Sequence, residues 1–318
     1  MPSKNTTKVL ICGGAGYVGG HLADLLMEKG CDVAIYDNLI YEDRYLKNIN
    51  FIYGDIRDKE KLGRIINNFD IVIWLAAIVG DEACAINPTA AREINLSAVQ
   101  WFTRNYKGKI VYTSTCSVYG KNDGLLDESS EVKPLSHYAV TKLKAEKEIM
   151  ARSNDYLIFR LGTLFGAGDR HARLRFDLAV NLLTQRAAAN EILTVFGGEQ
   201  WRPLMHVKDA ADGILFGIKN NLNGLFNLSA KNYKVSEIAD TIKKIIPDAK
   251  VEHDNVTFED LRNYKVSSAK FMSYGWKPRY SLEDGVREIY QLITAGRVRD
   301  PKNAIYSNGQ YLKNAERI

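Results

Sequence analysis

Cysteine and histidine are scarce in this chain, which has 4 cysteines and 5 histidines among 318 residues. No two cysteines form a C-x-x-C pair, so we expect buried, reduced thiols rather than disulfides. The histidines show no spacing typical of metal ligands, and we therefore expect no metal site. The residues concerned are Cys12, Cys31, Cys84, Cys116, His21, His137, His171, His206 and His253.

Long apolar runs and a strong charge bias are also missing. No run approaches the roughly 20 apolar residues of a membrane span, and residues 1–7 are polar, unlike a secretory leader. The net charge is only +5, with basic and acidic residues interspersed, which argues against a nucleic-acid surface. We therefore predict a cytoplasmic protein with no membrane or nucleic-acid partner, whose small positive charge suits anionic small ligands.

The first half of the chain alternates apolar strand patterns with helical patterns. Such alternation predicts an α/β fold, namely a Rossmann-type doubly wound parallel sheet covered by helices on both faces. The alternation fades after Gly162, where we expect a smaller C-terminal α/β substrate lobe. The predicted Rossmann domain takes residues 1–165 plus about 205–230, and the lobe takes about 166–204 plus 231–318. Strands are predicted over residues 8–14, 31–37, 51–55, 70–77, 109–115, 155–161 and 225–228.

A glycine-rich loop, GGAGYVG at residues 13–19, directly follows the first predicted strand. Gly13 allows the tight turn, Gly16 lets the backbone approach a pyrophosphate, and Gly19 lets the next helix pack closely on the strand. The N-terminus of that helix would offer N–H groups and a positive dipole end to the phosphates. The pattern predicts a dinucleotide site, with a glycine-rich turn that binds no nucleotide as the alternative.

Asp37 ends the second predicted strand, at about the 20-residue offset at which dinucleotide folds carry an acidic residue. A carboxylate there accepts hydrogen bonds from ribose hydroxyls and repels a 2′-phosphate. Asn38 and Leu39 follow, so no arginine comes directly after Asp37. The pattern therefore predicts NAD rather than NADP.

Tyr138 and Lys142 lie four residues apart in a predicted helix. This spacing puts both side chains on one helix face, about 5–6 Å apart at Cβ. An ammonium group favours a neighbouring phenolate, so the pair is a candidate acid/base couple, although a chance surface pair has the same spacing. Thr115 ends the fifth predicted strand, and its carboxyl end would face the same crevice as the glycine loop.

Together these motifs resemble the extended short-chain dehydrogenase/reductase superfamily and, within it, the NAD-dependent nucleotide-sugar epimerase/dehydratase group. The resemblance covers roughly residues 8–294 and includes LAA at 75–77, TSTCSVYG at 113–120 and RPLMHVKD at 202–209. Trp74 departs from the pattern, because histidine is frequent at that position. The expected fold agrees with the one predicted from the strand and helix alternation.

The resemblance implies a role for each matching residue. Thr115, Tyr138 and Lys142 take the catalytic positions. Arg202 and Arg262 match arginines that hold the diphosphate of the nucleotide sugar, for which a planar guanidinium fork is well suited. Cofactor contacts are implied for Gly13, Gly16, Tyr17, Val18, Gly19, Asp37, Asn38, Asp55, Ile56, Leu75, Ala76, Ala77, Tyr138 and Lys142. Substrate contacts are implied for Val79, Cys116, Ser117, Arg173, Arg202 and Arg262.

The resemblance also implies NAD-dependent oxidation at C4 of a nucleotide-diphosphate sugar, by a 4-epimerase or a 4-dehydrogenase. The 4,6-dehydratases of this group carry Asp-Glu directly after the catalytic threonine, where this chain has Cys116 and Ser117, so elimination of water is not expected. Residues 170–175 and 197–203 resemble enzymes of bacterial surface-glycan precursor synthesis, including heptose-modifying dehydrogenases. The alternatives are a non-catalytic NAD-sensing protein of the same fold and a 4-keto-sugar reductase.

Family members commonly form homodimers through the helix with the catalytic tyrosine and the helix before it. Apolar Ile94, Ala98, Trp101 and Phe102 suit such an interface, or equally a buried core. The residues from Arg297 onward show little periodicity. They are predicted to form either a tail or a segment that wraps back on the body.

Overall fold

A computed structural model of the protein describes residues 6–42, 44–151, 155–254 and 263–315. The strands are, in chain order, β1 (Lys8–Cys12), β2 (Asp32–Asp37), β3 (Asn50–Tyr53), β4 (Ile71–Trp74), β5 (Lys109–Thr115), β6 (Lys121–Leu126), β7 (Tyr156–Leu161), β8 (Thr163–Phe165), β9 (Ile192–Phe196), β10 (Trp201–His206), β11 (Gly224–Leu228), β12 (Lys231–Lys234), β13 (Lys250–Asp254) and β14 (Asn263–Val266).

The helices are α1 (Gly19–Glu28), α2 (Lys59–Gly63), α3 (Asp81–Ile86), α4 (Pro88–Arg92), α5 (Ala98–Asn105), α6 (His137–Met150), α7 (Ala179–Ala188), α8 (Val207–Lys219), α9 (Val235–Ile245), α10 (Ala269–Met272), α11 (Leu282–Thr294) and α12 (Asn308–Ala315). A π-helical turn, Glu93–Ser97, joins α4 to α5, and short 3₁₀ turns lie at Ile66–Asn68, Cys116–Tyr119 and Ala304–Tyr306.

A seven-stranded parallel sheet in the order β11-β7-β5-β4-β1-β2-β3 forms the centre of the molecule. In its register, Ile11 of β1 lies between Ile35 of β2 and Ile73 of β4. Because both faces of such a sheet are covered, its inner strands read as continuous apolar runs. The strand order changes direction between β1 and β4, which opens a crevice beyond their carboxyl ends. The predicted doubly wound Rossmann-type sheet is confirmed.

Side chains of the central strands pack into two apolar layers, one on each face of the sheet. Leu10 packs in a layer with Trp74, whereas the adjacent Ile11 packs in a second layer with Leu22 of α1 and Ile214 of α8. This division follows from the alternation of side chains along a strand. The two layers hold the carboxyl ends of β1, β2, β4 and β5 in fixed positions at one edge.

The smaller lobe is built on a three-stranded sheet in the order β12-β10-β8, and α7, α9 and α11 contribute to its separate apolar core. Strand β8 joins this sheet, although the predicted boundary at residue 165 placed it in the Rossmann domain. Strand β11 pairs in parallel with β7, so the chain returns to the main sheet as predicted.

Residues 88–105 form α4 and α5 with the π-helical turn between them. Ile94, Ala98 and Phe102 are buried in the main core, so they are not free for a subunit interface; Trp101 is only partly buried. Helix α3 was not predicted. The segment after Arg297 does wrap back on the body, because α12 packs against α3.

Two negative findings concern the part of the chain that the structure describes. No helix there is long and apolar enough to cross a membrane. No group of three or more histidine, cysteine or acidic side chains there is arranged to hold a metal ion.

Candidate active site

A cavity of about 870 Å³ opens at the carboxyl ends of the parallel strands. Its wall includes the glycine loop, the ends of β2, β4 and β5, the first turn of α6 and parts of the smaller lobe. The predicted site residues that line it are Gly13, Gly16, Tyr17, Val18, Gly19, Asp37, Asn38, Asp55, Ile56, Leu75, Ala76, Ala77, Val79, Thr115, Ser117, Tyr138, Lys142, Arg173 and Arg202.

The glycine loop needs its glycines because other backbone atoms approach it closely. Gly13 has a φ of +80°, and a Cβ there would lie 2.5 Å from the backbone nitrogen of Ala76. A Cβ at Gly19 would lie 2.5 Å from the carbonyl oxygen of Gly14. Among the described residues no side chain caps α1, whose N-terminal N–H groups are thus available to an anion. This cradle fits the pyrophosphate of a dinucleotide.

Tyr17, in this loop, fastens the cradle to the smaller lobe. Its hydroxyl donates to the carbonyl oxygen of Gly166, and the side chain of Asn181 donates to both of these oxygens. Burial raises the pKa of Tyr17 far above its usual value, although Asn181 and Arg175 oppose this. Tyr17 therefore remains a neutral hydrogen-bond donor that keeps the loop next to the lobe.

The end of β2 presents a buried carboxylate to the cavity. Asp37 accepts hydrogen bonds from the backbone N–H groups of Leu39, at 2.8 Å, and Ala15, at 3.1 Å. Burial raises the pKa of Asp37 above its usual value, and these N–H donors oppose the rise. The remaining lone pairs can accept bonds from ribose hydroxyls, which fits NAD.

Asn38 and Asp55 form a small network beside this carboxylate. The amide of Asn38 donates to Asp55 at 3.0 Å, and Arg57 donates to the same carboxylate through its backbone N–H and its guanidinium. Burial acts to raise the pKa of Asp55, but the bonds from Arg57 outweigh it and lower that pKa. Ile56 lies next to this network and supplies apolar wall.

Thr115, Tyr138 and Lys142 meet at the same cavity, as the sequence predicted. Thr115 is the last residue of β5, and its hydroxyl lies near enough to Tyr138 to favour the phenolate form of that side chain. Helix α6 begins beside it because Ser136 caps the helix by accepting the N–H of Ala139 at 3.2 Å. Tyr138 therefore lies in the first turn of α6 and Lys142 one turn later.

The ionisation of this group differs from the prediction. Burial raises the pKa of Tyr138 well above its usual value, and this outweighs the opposing effects of Arg175 and of the nearby Thr115 hydroxyl. The Nζ atom of Lys142 lies 4.2 Å from the centre of the Tyr112 ring. Burial lowers the pKa of Lys142 to about 7, while Glu146 and Cys84 act to raise it. Desolvation thus favours the neutral forms of both side chains, which corrects the expectation of a lowered phenol pKa.

Two of the arginines predicted to bind substrate, Arg173 and Arg202, line the cavity from different parts of the fold. Arg202 lies on β10, and its guanidinium donates to the carbonyl of Trp201 at 2.9 Å. Arg173 lies in the segment before α7, and its guanidinium makes two hydrogen bonds near the end of the chain, to Ile305 and Asn308. Arg262 falls outside the described residues.

Cys116 and Ser117 have different surroundings although they are adjacent. Ser117 lines the cavity, and its backbone N–H donates to the Thr115 hydroxyl at 3.1 Å. Cys116 is 1% exposed and packs in an apolar cluster, with its thiol donating to the carbonyl of Arg160 at 3.3 Å. Burial raises the pKa of Cys116 far above its usual value. Cys116 therefore does not line the cavity, in contrast to the predicted substrate contact.

Sequence reasoning missed several residues of the cavity wall. The side chain of Arg175 is 12% exposed, and its guanidinium donates to both carboxylate oxygens of Asp177, at 3.0 and 2.9 Å. Asn308 and Gly309 arrive from the far end of the chain. The run of arginines at residues 170–175 could have indicated Arg175. No local sequence pattern indicated that Asn308 and Gly309 line the cavity.

The fold and the site define an NAD-binding α/β enzyme framework. The model of the NAD dependent epimerase/dehydratase family matches residues 9–229, and the chain belongs to that family. A UDP-glucose 4-epimerase of Halalkalibacterium halodurans is 29% identical over 320 residues, with 89% of this chain and 94% of that protein covered. A UDP-N-acetyl-alpha-D-glucosaminuronate decarboxylase of Bacillus cytotoxicus is 27% identical over 318 residues, covering 89% and 97%.

A solved structure of an enzyme similar to this chain has the same fold. The UDP-glucuronic acid 4-epimerase of Bacillus cereus, in complex with UDP-glucuronic acid and NAD, superposes with a TM-score of 0.78. It is 25% identical, and the match covers 91% of this chain and 99% of that one. NAD is therefore the cofactor of this family framework, whereas the named relatives carry out different sugar reactions.

Proposed function

We propose that the protein oxidises C4 of a nucleotide-diphosphate sugar, with NAD as hydride acceptor, as a 4-epimerase or a 4-dehydrogenase. The observation that carries the proposal is the meeting of Thr115, Tyr138 and Lys142 at the cavity that the glycine loop and Asp37 also line. The relatives named above support a nucleotide sugar as the substrate class. Synthesis of bacterial surface-glycan precursors is the role that we favour.

In this proposal Tyr138 removes the proton of the C4 hydroxyl while the C4 hydride passes to the nicotinamide ring of bound NAD. Thr115 bonds the same sugar oxygen and shares the proton path. Charged Lys142 stabilises the phenolate of Tyr138 and orients the nicotinamide ribose. Because burial lowers the pKa of Lys142 to about 7, its charge at neutral pH depends on anionic groups brought in by the ligands.

Arginines would anchor the substrate at the other end. Arg202 lines the cavity, and Arg262 is proposed to join it at the diphosphate. Val79 and Ser117 also line the cavity and would contact the sugar. Elimination of water is disfavoured, because Cys116 is turned into an apolar cluster and offers no acid or base to C5 and C6.

The other readings are less well supported. A non-catalytic NAD sensor would have no use for the Thr115, Tyr138 and Lys142 group, which is complete here. A 4-keto-sugar reductase would use the same residues in the reverse direction and differs only in which sugar is supplied. A cytoplasmic homodimer that packs through α5 and α6 remains a prediction, which light scattering of the purified protein would test.

One experiment tests the proposal and separates its branches. The purified protein is incubated with UDP-, GDP- and dTDP-sugars, and the products are followed by NMR. A sugar inverted at C4 identifies an epimerase, whereas a released ketone or its hydrate identifies a dehydrogenase. Unchanged sugars across the panel, with NAD bound, would favour the sensor instead.

Tyr138→Phe tests the role of the phenol directly. It should lower turnover by about 10² to 10⁴-fold, the usual value of a general acid/base, and leave NAD bound. Tyr53→Phe is the matched control, since Tyr53 is 62% exposed on β3. Near-normal turnover of Tyr138→Phe would refute the assignment.

A further inference from the structure

The C-terminal segment, residues 304–314, lies along the wall of the cavity. Its 3₁₀ turn and α12 carry no motif that predicted a role, yet Asn308 and Gly309 line the cavity. Leu312, on the inner side of α12, is 3% exposed and joins the main apolar core. The segment is therefore anchored to the body of the protein.

Asn308 makes the central contacts of this segment. It is 3% exposed, and its side-chain amide donates to the carbonyl oxygen of Val79 at 3.0 Å. Its side-chain oxygen accepts from the guanidinium of Arg173, and its backbone N–H donates to Asp177 at 3.0 Å. One buried asparagine thus joins the loop after β4 to the segment before α7.

Further contacts strengthen the same connection. The Arg173 guanidinium donates to the carbonyl of Ile305 at 2.6 Å and lies 4.5 Å from the ring centre of Tyr41. Tyr41 in turn packs against Tyr311 of α12, with ring centres 5.8 Å apart. The backbone N–H of Arg173 donates to Glu42 at 2.7 Å. The loop after β2 is thereby tied to the C-terminal segment as well.

These contacts join the loops after β2 and β4, whose first residues are predicted to contact the cofactor, to Val79 and Arg173, which are predicted to contact the sugar. Tyr41 follows Asp37 and Asn38 in the loop after β2, and Val79 follows Leu75–Ala77 in the loop after β4. Both loops belong to the Rossmann domain, whereas Arg173 and Asp177 lie beyond β8. The C-terminal segment therefore bridges two cofactor-side loops and the opposite wall. Widening the gap between these walls would break its buried bonds.

We propose that the C-terminal segment is a clasp that keeps NAD in the protein between turnovers, with Asn308 as its positioning residue. A cofactor held in this way suits a reaction in which the hydride returns to the same sugar, because no exchange of NADH is then needed. The inference requires bound NAD but not the proposed sugar reaction. It can therefore fail while that proposal stands, and the converse also holds.

The test measures release of the cofactor rather than turnover. The protein is loaded with NADH and mixed with an excess of NAD, and the loss of bound-nicotinamide fluorescence gives the release rate. Asn308→Ala removes one neutral and one charge-assisted hydrogen bond, so we expect release to be about 10- to 100-fold faster. Gln310→Ala is the control, because Gln310 is exposed on the same helix.

A second variant separates the clasp from a general loss of structure. Asn308→Asp keeps an acceptor for Arg173 but loses the donor to Val79, so its release rate should lie between those of the wild type and Asn308→Ala. Thermal unfolding is recorded for each variant. Unchanged NADH release in a folded Asn308→Asp or Asn308→Ala protein would overturn the inference. A higher KM for the nucleotide sugar with unchanged NADH release would overturn it too, because the segment would then serve the sugar.

Discussion

The contact between Lys142 and the Tyr112 ring gives a quantitative prediction about the charge of the active-site lysine. The ammonium lies 4.2 Å from the ring centre, within the range of a cation–π attraction. Such a contact is worth about 0.5 to 2 kcal/mol, and one pKa unit corresponds to about 1.36 kcal/mol. Removing the ring should therefore lower the pKa of Lys142 by about 0.4 to 1.5 units.

The pKa of Lys142 should fall because the Tyr112 ring stabilises only the protonated form of the lysine. The ring face attracts only the charged ammonium, so replacing it by Tyr112→Leu weakens the charged form and lowers the pKa. Burial has already brought the pKa of Lys142 to about 7, with Glu146 and Cys84 as its charged or titratable neighbours. A further decrease of this size should leave between about 3% and about 30% of Lys142 charged at neutral pH instead of about half.

The assay is an NMR titration of the Lys142 side chain in cofactor-free protein labelled with ¹³C at lysine Cε. Tyr112→Phe is the matched control, because it keeps the ring and deletes a buried hydroxyl that has no hydrogen-bond partner in the described structure. The Phe variant should titrate as the wild type does, and the Leu variant at lower pH. Equal midpoints for all three proteins would refute the reasoning.

Two further predictions concern charged pairs outside the cavity. Glu288 accepts bonds from His206 and Lys208, which lower its pKa to about 2 despite its burial; its contribution to stability is therefore present above pH 4.5 and lost as the pH falls through about 2. Thermal unfolding should show the wild type ahead of Glu288→Gln above pH 4.5, and a pH-independent difference would contradict this. Arg160→Met leaves the carboxylate of Glu146, on the catalytic helix α6, buried without its arginine partner, and denaturant unfolding should show a loss of about 3–5 kcal/mol in the free energy of unfolding. The double variant with Glu146→Leu should recover most of it, and an equally unstable double variant would argue against a charge effect.

The Rossmann-type sheet and much of the candidate site could be predicted from local patterns. Buried parallel strands are continuous apolar runs, and a glycine loop between a strand and a helix has few alternative structures. The carboxyl ends of such strands share one edge, so Thr115 and Asp37 had to lie near the same crevice. The four-residue spacing of Tyr138 and Lys142 likewise sufficed to place them on one helix face.

Tertiary structure alone decided which side chains surround these residues. Asn308 meets Val79 across a separation of 229 positions, and no pattern in the polar C-terminal sequence indicates that contact. Cys116 is next to a cavity residue in sequence, yet the turn after β5 directs it into an apolar cluster. The charge of Lys142 depends on burial and on the Tyr112 ring, which belongs to a different element. Strand and helix patterns arise from neighbours along the chain, whereas desolvation and long-range contacts exist only once the elements have packed together.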